Sequence, residues 1–306
     1  WRLAATKLVA QQDVRLRLVQ PAIAQNMKWV PGNRDFIINR LISLSETKTG
    51  PDNKGLDGIT YLIWPEAALT FFLGDYPEAL LRIANMLPPG TVLLTGAPRR
   101  GFSASNQKAD YNSILAINSD GEVISSYDKT HLVPFGEYLP FKSLFEKFGL
   151  RQFVPGLEGW QAGKRRDVLR PEGKAGFLPL ICYEAVFSGD LGNGATSAKF
   201  ILNITNDAWF DGSIGPLQHF YHARLRALEH GVSMVRVANS GVSALVDPLG
   251  RISDYLGPGE IGFLDVTLSE PIAPTLFSKL TNWPFLFALL LSWALVLPRY
   301  FHYRAR

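Results

Sequence analysis

A chain of 306 residues with 47% apolar side chains has enough hydrophobic material for one large α/β domain, which excludes a disordered or fibrous protein. The formal charge of +4 comes from lysines and arginines scattered along the sequence, with only Lys164, Arg165 and Arg166 in a compact run, so nucleic-acid binding is not expected. One cysteine excludes an internal disulfide, and no Cys/His spacing suits zinc, so Cys182 is either buried filler or a reagent and no metal is expected. The sequence opens at Trp1 without an initiator Met or a signal-peptide pattern, and reads as a fragment.

Val14 to Val19 alternates apolar and basic residues, the period of a half-buried strand, and Pro21 ends it. Phe36, Ile37, Leu41, Ile42 and Leu44 shift to helical spacing. The apolar run Tyr61 to Trp64 reads as a buried strand that stops at Pro65 and delivers the carboxylate of Glu66. Pro77 opens a helix reaching Leu87. Thr91 to Thr95 is a strand, and Ile114 to Ile117 pairs with Val123 to Tyr127 across the turn Asn118-Ser119-Asp120-Gly121, with Lys129 just beyond.

Phe177 to Cys182 reads as a strand ending at the cysteine, and Phe200 to Ile204 as another ending at Asn206-Asp207. A helix from Pro216 to His230 stops at Gly231. Met234 to Val237, Ala244 to Val246 and Gly262 to Val266 complete a strand-rich second half. Strands and helices interleave throughout, giving one α/β domain of two sheets covered by helices.

Three apolar segments do not read as plain core. Leu139 to Phe153 mixes Phe141, Leu144, Phe145 and Phe148 with Lys142, Lys147 and Arg151, a pattern suited to a lipid surface, and Leu69 to Leu73 reads as a second substrate-facing arm, with ordinary packing against the domain as the alternative for both. Leu280 to Pro298 carries no charge, is bounded by Lys279 and Arg299, and approaches the ~20 residues of a membrane span. It is expected to be a transmembrane helix over residues 279–298. The arginines that follow would then put a tail, 299–306, in the cytoplasm and the catalytic domain, 1–278, in the periplasm.

Glu66, Lys129 and Cys182 all stand at strand ends, and together they supply a base, a cation for a developing oxyanion and a sulfur nucleophile. Each has an ordinary alternative, as a helix-start carboxylate, a surface cation and a small buried side chain. The local sequences tip the balance. Trp64-Pro65-Glu66-Ala67, the run from Tyr127 to Glu137, and Ile181-Cys182-Tyr183-Glu184 resemble, in order, the three catalytic boxes of the nitrilase or carbon-nitrogen hydrolase superfamily. Asn206-Asp207-Ala208-Trp209-Phe210, Gly215-Pro216 with Gln218-His219, and Ala238-Asn239-Ser240-Gly241 look like its apolipoprotein N-acyltransferase branch. The departure from that branch is the lack of the N-terminal transmembrane helices that ordinarily precede the domain.

The resemblance implies an αββα sandwich and a cofactor-free, ping-pong transfer of a fatty acyl group. The donor would be a phospholipid and the acceptor the α-amine of a diacylated apolipoprotein, at the bacterial inner membrane with the domain facing the periplasm. By the same resemblance Glu66 is the base, Cys182 the nucleophile and Lys129 the oxyanion partner. Glu137, Glu184 and Tyr183 support them, and Trp29 and Trp209 contact substrate. A nitrilase-type amidase, in which water resolves the acyl-enzyme, is the first alternative, and a membrane-anchored domain that binds lipid or lipoprotein without turnover is the second. His131, inside the lysine box, is expected to be structural, and His219 and His222, which share a helix face with no carboxylate at metal spacing, are expected in surface or core roles.

Overall fold

The computed structural model describes residues 2–49, 55–103, 106–138, 159–189 and 191–304. The strands are β1 (Ala10–Gln20), β2 (Tyr61–Ile63), β3 (Val92–Phe102), β4 (Lys108–Ile117), β5 (Val123–Asp128), β6 (Phe177–Ile181), β7 (Phe200–Thr205), β8 (Ser233–Ala238), β9 (Ser243–Val246), β10 (Ile252–Leu256) and β11 (Gly262–Ser269). The helices are α1 (Arg2–Ala5), α2 (Gln25–Lys28), α3 (Arg34–Glu46), α4 (Pro77–Met86), α5 (Gly192–Ser197), α6 (Gly215–His230), α7 (Leu276–Leu280) and α8 (Trp283–Arg304).

Two sheets form, in the orders β11-β1-β2-β3-β4-β5 and β10-β9-β8-β7-β6. In the first, β1, β2 and β3 are parallel and β4 and β5 follow as antiparallel hairpins; in the second, β6, β7 and β8 are parallel. The expected hairpin is present, with Ile114 opposite Tyr127 and Ile117 opposite Val123.

The parallel strands are apolar at successive positions because both of their faces are covered. Alternate residues therefore serve different layers. Tyr61, Ile63, Phe177, Ile181, Phe200, Leu202 and Ile204 meet between the sheets, whereas Leu62, Leu93 and Leu115 face α3 and α4, and Leu178, Leu180 and Ile201 face α5 and α6. This is the αββα sandwich. Each fully buried Leu, Ile or Phe contributes about 1.5–3 kcal/mol of transfer energy to it.

Two expectations are corrected. No helix among the described residues is long and apolar enough to cross a membrane, which overturns the transmembrane helix assigned to 279–298. The uncharged stretch is continuous in sequence but not in structure: α7 stops at Leu280, Thr281 takes a φ of 49°, and α8 begins afresh at Trp283. From Trp283 to Pro298 the uncharged part of α8 rises only about 24 Å, short of the ~30 Å of a hydrocarbon core. The cytoplasmic placement of 299–306 depended on that span.

The second correction concerns Leu69 to Leu73, which is no free arm. Leu69, Phe71 and Leu73 are buried beside α3 and α4, and Phe72 lies under the Arg100 guanidinium at 3.9 Å. The amphipathic stretch Leu139 to Phe153 lies outside the described residues.

Candidate active site

The strand directions gather the expected residues at one end of the sandwich. Glu66 follows β2, Lys129 follows β5, Cys182 follows β6 and Asn206 follows β7, all at C-terminal ends. Glu66, Lys129 and Cys182 line one pocket of about 410 Å³ with Asn112, Glu137, Tyr183 and Asn206, and Trp29, Trp160 and Trp209 add aromatic walls. A larger groove of about 920 Å³ runs along the outer side of α6, past Tyr221, Leu225 and Leu228, and contains none of these groups.

Each residue is held by a local device. Pro65 to Ala67 crosses directly over Gly96 of β3, where a Cβ would come within 2.6 Å of Glu66 Cα, Pro65 O and Ala67 N, so only glycine lets the turn settle. Lys129 is fixed through its backbone, its N–H donating to Asn112 O at 2.9 Å and its carbonyl accepting from Gly163 N at 2.7 Å. Cys182 adopts φ 52° as the first residue of a short 3-10 turn to Val186, and the Glu184 carboxylate reaches back to accept from Ile181 N at 2.7 Å.

Glu66 accepts from Asn112 Nδ2 on one oxygen and from Asn206 N on the other, both at 2.8 Å, with Lys129 Nζ at 3.8 Å. Burial raises its pKa, opposed by the Lys129 charge and reinforced by Glu137. Lys129 Nζ donates to Glu137 at 2.8 Å. Burial disfavours that ammonium, but Glu137 and Glu66 outweigh it and raise its pKa, so it stays charged. Burial, then the Glu66 charge, pushes the half-buried Cys182 thiol upward against Lys129, so sulfur rests as the neutral thiol.

Glu184 is buried behind the cysteine and does not line the pocket. Its Oε1 accepts from Tyr127 OH, Thr130 N, Thr130 Oγ1, His131 N and Arg166 Nη2 at 2.7–3.1 Å. Burial opposes its charge, but Arg166 and these donors win and lower its pKa. His131 packs against Phe187 with the rings tilted by 32° and their centroids 4.9 Å apart, away from the pocket lining.

Sequence reasoning missed three groups. Asn112 bridges Glu66 and Glu137, donating to the latter at 3.2 Å. Lys28, only 1% exposed, donates to Glu66 O at 3.2 Å, and burial drops its pKa to about 7. Trp160 lines the wall, its backbone N–H donating to Glu137 O at 3.0 Å. Asn112 carried one faint signal, a polar residue facing inward on an apolar strand. Lys28 and Trp160 carried none beyond the neighbouring motif.

The model of the family described as carbon-nitrogen hydrolase matches residues 17–273. The chain belongs to that family. Within it, the sequence is 43% identical over 300 residues to the apolipoprotein N-acyltransferase of Rhodopseudomonas palustris, covering 97% of this chain and 56% of that protein. It is 41% identical over 277 residues to that of Brucella melitensis, covering 90% and 52%. This carbon-nitrogen hydrolase chain thus spans about half the length of the curated relatives it matches. Among solved structures it is similar to Saccharomyces cerevisiae Nit3, of branch 10 of the nitrilase superfamily, with TM-score 0.60 at 18% identity, covering 88% of this chain and 93% of that one. An amidase from Nesterenkonia sp. matches with TM-score 0.54 at 20% identity, covering 87% and 94%. At these identities the structures speak for the fold.

Proposed function

We propose that the chain is the catalytic domain, residues 1–278, of an apolipoprotein N-acyltransferase. It moves a fatty acyl group from a phospholipid, through a thioester on Cys182, to the α-amine of a diacylglyceryl-cysteine. The observation that carries the reading is the convergence of Glu66, Lys129 and Cys182 on one aromatic-walled pocket, in a chain more than 40% identical to such enzymes over nearly its whole length. Both substrates are lipids, so the domain works at a membrane surface, the periplasmic face of the bacterial inner membrane.

The neutral thiol needs a base at the moment of attack. Glu66 takes the Sγ proton as sulfur bonds to the ester carbonyl carbon, and the charge that gathers on oxygen meets the Lys129 ammonium and the backbone N–H after the cysteine. The carbon–oxygen bond to glycerol then breaks, and the proton on Glu66 passes to the departing lysophospholipid. In the second half the α-amine attacks the thioester, Glu66 accepts its proton, the carbon–sulfur bond breaks, and the proton returns to sulfur. Thioester to amide is downhill, so neither nucleotide nor metal enters. Glu137 keeps Lys129 in place, Glu184 anchors the turn that carries Cys182, and Tyr183, Trp29 and Trp209 offer surfaces to the acyl chain.

Mass spectrometry of the chain mixed with phospholipid vesicles tests this. The expected product is one fatty acyl group on Cys182, released by hydroxylamine and absent in Cys182→Ser. No adduct, together with ammonia release from small soluble amides, gives the site to the amidase alternative.

A further inference from the structure

On the side of Cys182 away from the pocket, buried side chains that the acyl-transfer scheme does not use converge on one backbone atom. The Cys182 carbonyl oxygen lies 3.1 Å from His219 Nε2 and 3.3 Å from Asn203 Nδ2. His219 projects inward from α6, its Nδ1 2.8 Å from Asp207 Oδ1 and 3.1 Å from Arg236 Nη2. Arg236, on β8, donates to Asp207 Oδ2 at 2.8 Å and to Asn203 Oδ1, which closes the ring. None of His219, Asn203 and Arg236 lines the pocket.

Stability alone does not explain such a net, because apolar side chains of similar volume commonly serve as well as a buried ion pair. Its protonation follows from its partners. A carbonyl oxygen only accepts, so Nε2 carries the hydrogen, while Nδ1, set between a carboxylate acceptor and a guanidinium donor, donates to Asp207 when protonated and accepts from Arg236 when not. Burial and the Arg236 charge lower the affinity of the ring for a second proton, and the Nε2–H is present in either state.

Peptide planarity gives the clamp a consequence. The bond from Cys182 to Tyr183 is trans, so the Tyr183 N–H points opposite to the Cys182 carbonyl. A carbonyl drawn toward α6 leaves that N–H aimed at the pocket. The φ of 52° at a non-glycine residue is a costly conformation that persists only where its surroundings enforce it.

We propose that His219, braced by Asp207 and Arg236, is a positioning residue that clamps the Cys182 carbonyl and so presents the Tyr183 N–H to the oxyanion. This deepens the acyl-transfer reading and rests on it.

The test compares two reactions of the same sulfur. Acylation by p-nitrophenyl butyrate passes through an oxyanion; alkylation by iodoacetamide does not. In His219→Asn the shorter amide still reaches Asp207 but not the Cys182 carbonyl, and acylation falls about 10²-fold while alkylation stays within about threefold of wild type. His219→Gln, whose amide N–H reaches the Nε2 position, recovers most of the acylation rate. If the Asn variant does not fold, His219→Leu carries the same expectation. Equal loss of both reactions, unchanged acylation, or a Gln variant as slow as the Asn one overturns the clamp. Wild-type chain acylated by the p-nitrophenyl ester but never by phospholipid sinks the phospholipid reading, and the variants still decide the clamp.

Discussion

Two buried glutamates flank the cysteine and have been driven in opposite directions. Glu66 accepts two hydrogen bonds, shares its nearest cation with Glu137, and has its pKa raised by burial. Glu184 has an arginine at 2.9 Å and a cage of backbone and hydroxyl donors, and its pKa is lowered. The contrast shows that depth alone does not decide what a carboxylate does. The number of donors and the sharing of its counter-ion decide whether it can take and return protons or serves as a fixed anchor.

The largest effect that tests this contrast is Glu66→Gln, which removes proton acceptance with little change of volume and should slow acylation of Cys182 by about 10²–10⁴-fold. Stability should behave oppositely. Because folding raises the Glu66 pKa, its stabilising contribution belongs to low pH and disappears as pH rises through the folded value. Denaturant midpoints should therefore favour Glu66→Gln over wild type increasingly as pH rises above the ordinary carboxylate range. A variant that keeps its acylation rate removes Glu66 from the base role.

Glu184→Gln should reverse the pattern. It leaves Arg166 buried beside a neutral amide and should lose about 3–5 kcal/mol of stability at pH 7. Since folding lowers the Glu184 pKa, wild type holds this advantage above the unfolded-state value and loses it as pH falls through the folded one. Urea titrations at pH 7 and at acid pH should show the gap closing, and an equal gap at both refutes the assignment.

Lys28 sharpens the comparison from the Glu66 side. Its pKa of about 7 in the folded chain, against 10.5 for the free side chain, makes wild type gain stability relative to Lys28→Met as pH rises from about 7 to about 10. The gain should be on the order of a few kcal/mol, and parallel pH–stability curves for the two chains would exclude it. Asn112→Leu should have the smallest effect. It removes a donor that lowers the Glu66 pKa, so the acid limb of the acylation profile should move to higher pH. A limb that moves down contradicts the hydrogen bond.

The elements that were legible in the sequence share one property: their signal is local. Tyr61 to Trp64 and Phe177 to Cys182 announced themselves as apolar runs cut off by a reactive side chain, and the β4/β5 hairpin by its turn residues. His219 is buried, within the surface or core roles expected of it, but its link to the Cys182 carbonyl was not legible because that carbonyl, Asp207 and Arg236 lie on other elements. Lys28 was invisible for the same reason, its acceptor being 38 residues away. At the C-terminal end a count of uncharged residues read a single span, whereas the break at Thr281 depends on backbone conformation, which composition does not encode.

Glu66, Asn112 and Lys129 belong to one sheet and Cys182 and Asn206 to the other, with the hydrogen bond from Asn206 N to Glu66 stitched across the gap. The base and the sulfur therefore come from opposite layers, so their alignment depends on how one sheet packs on the other rather than on either sheet alone.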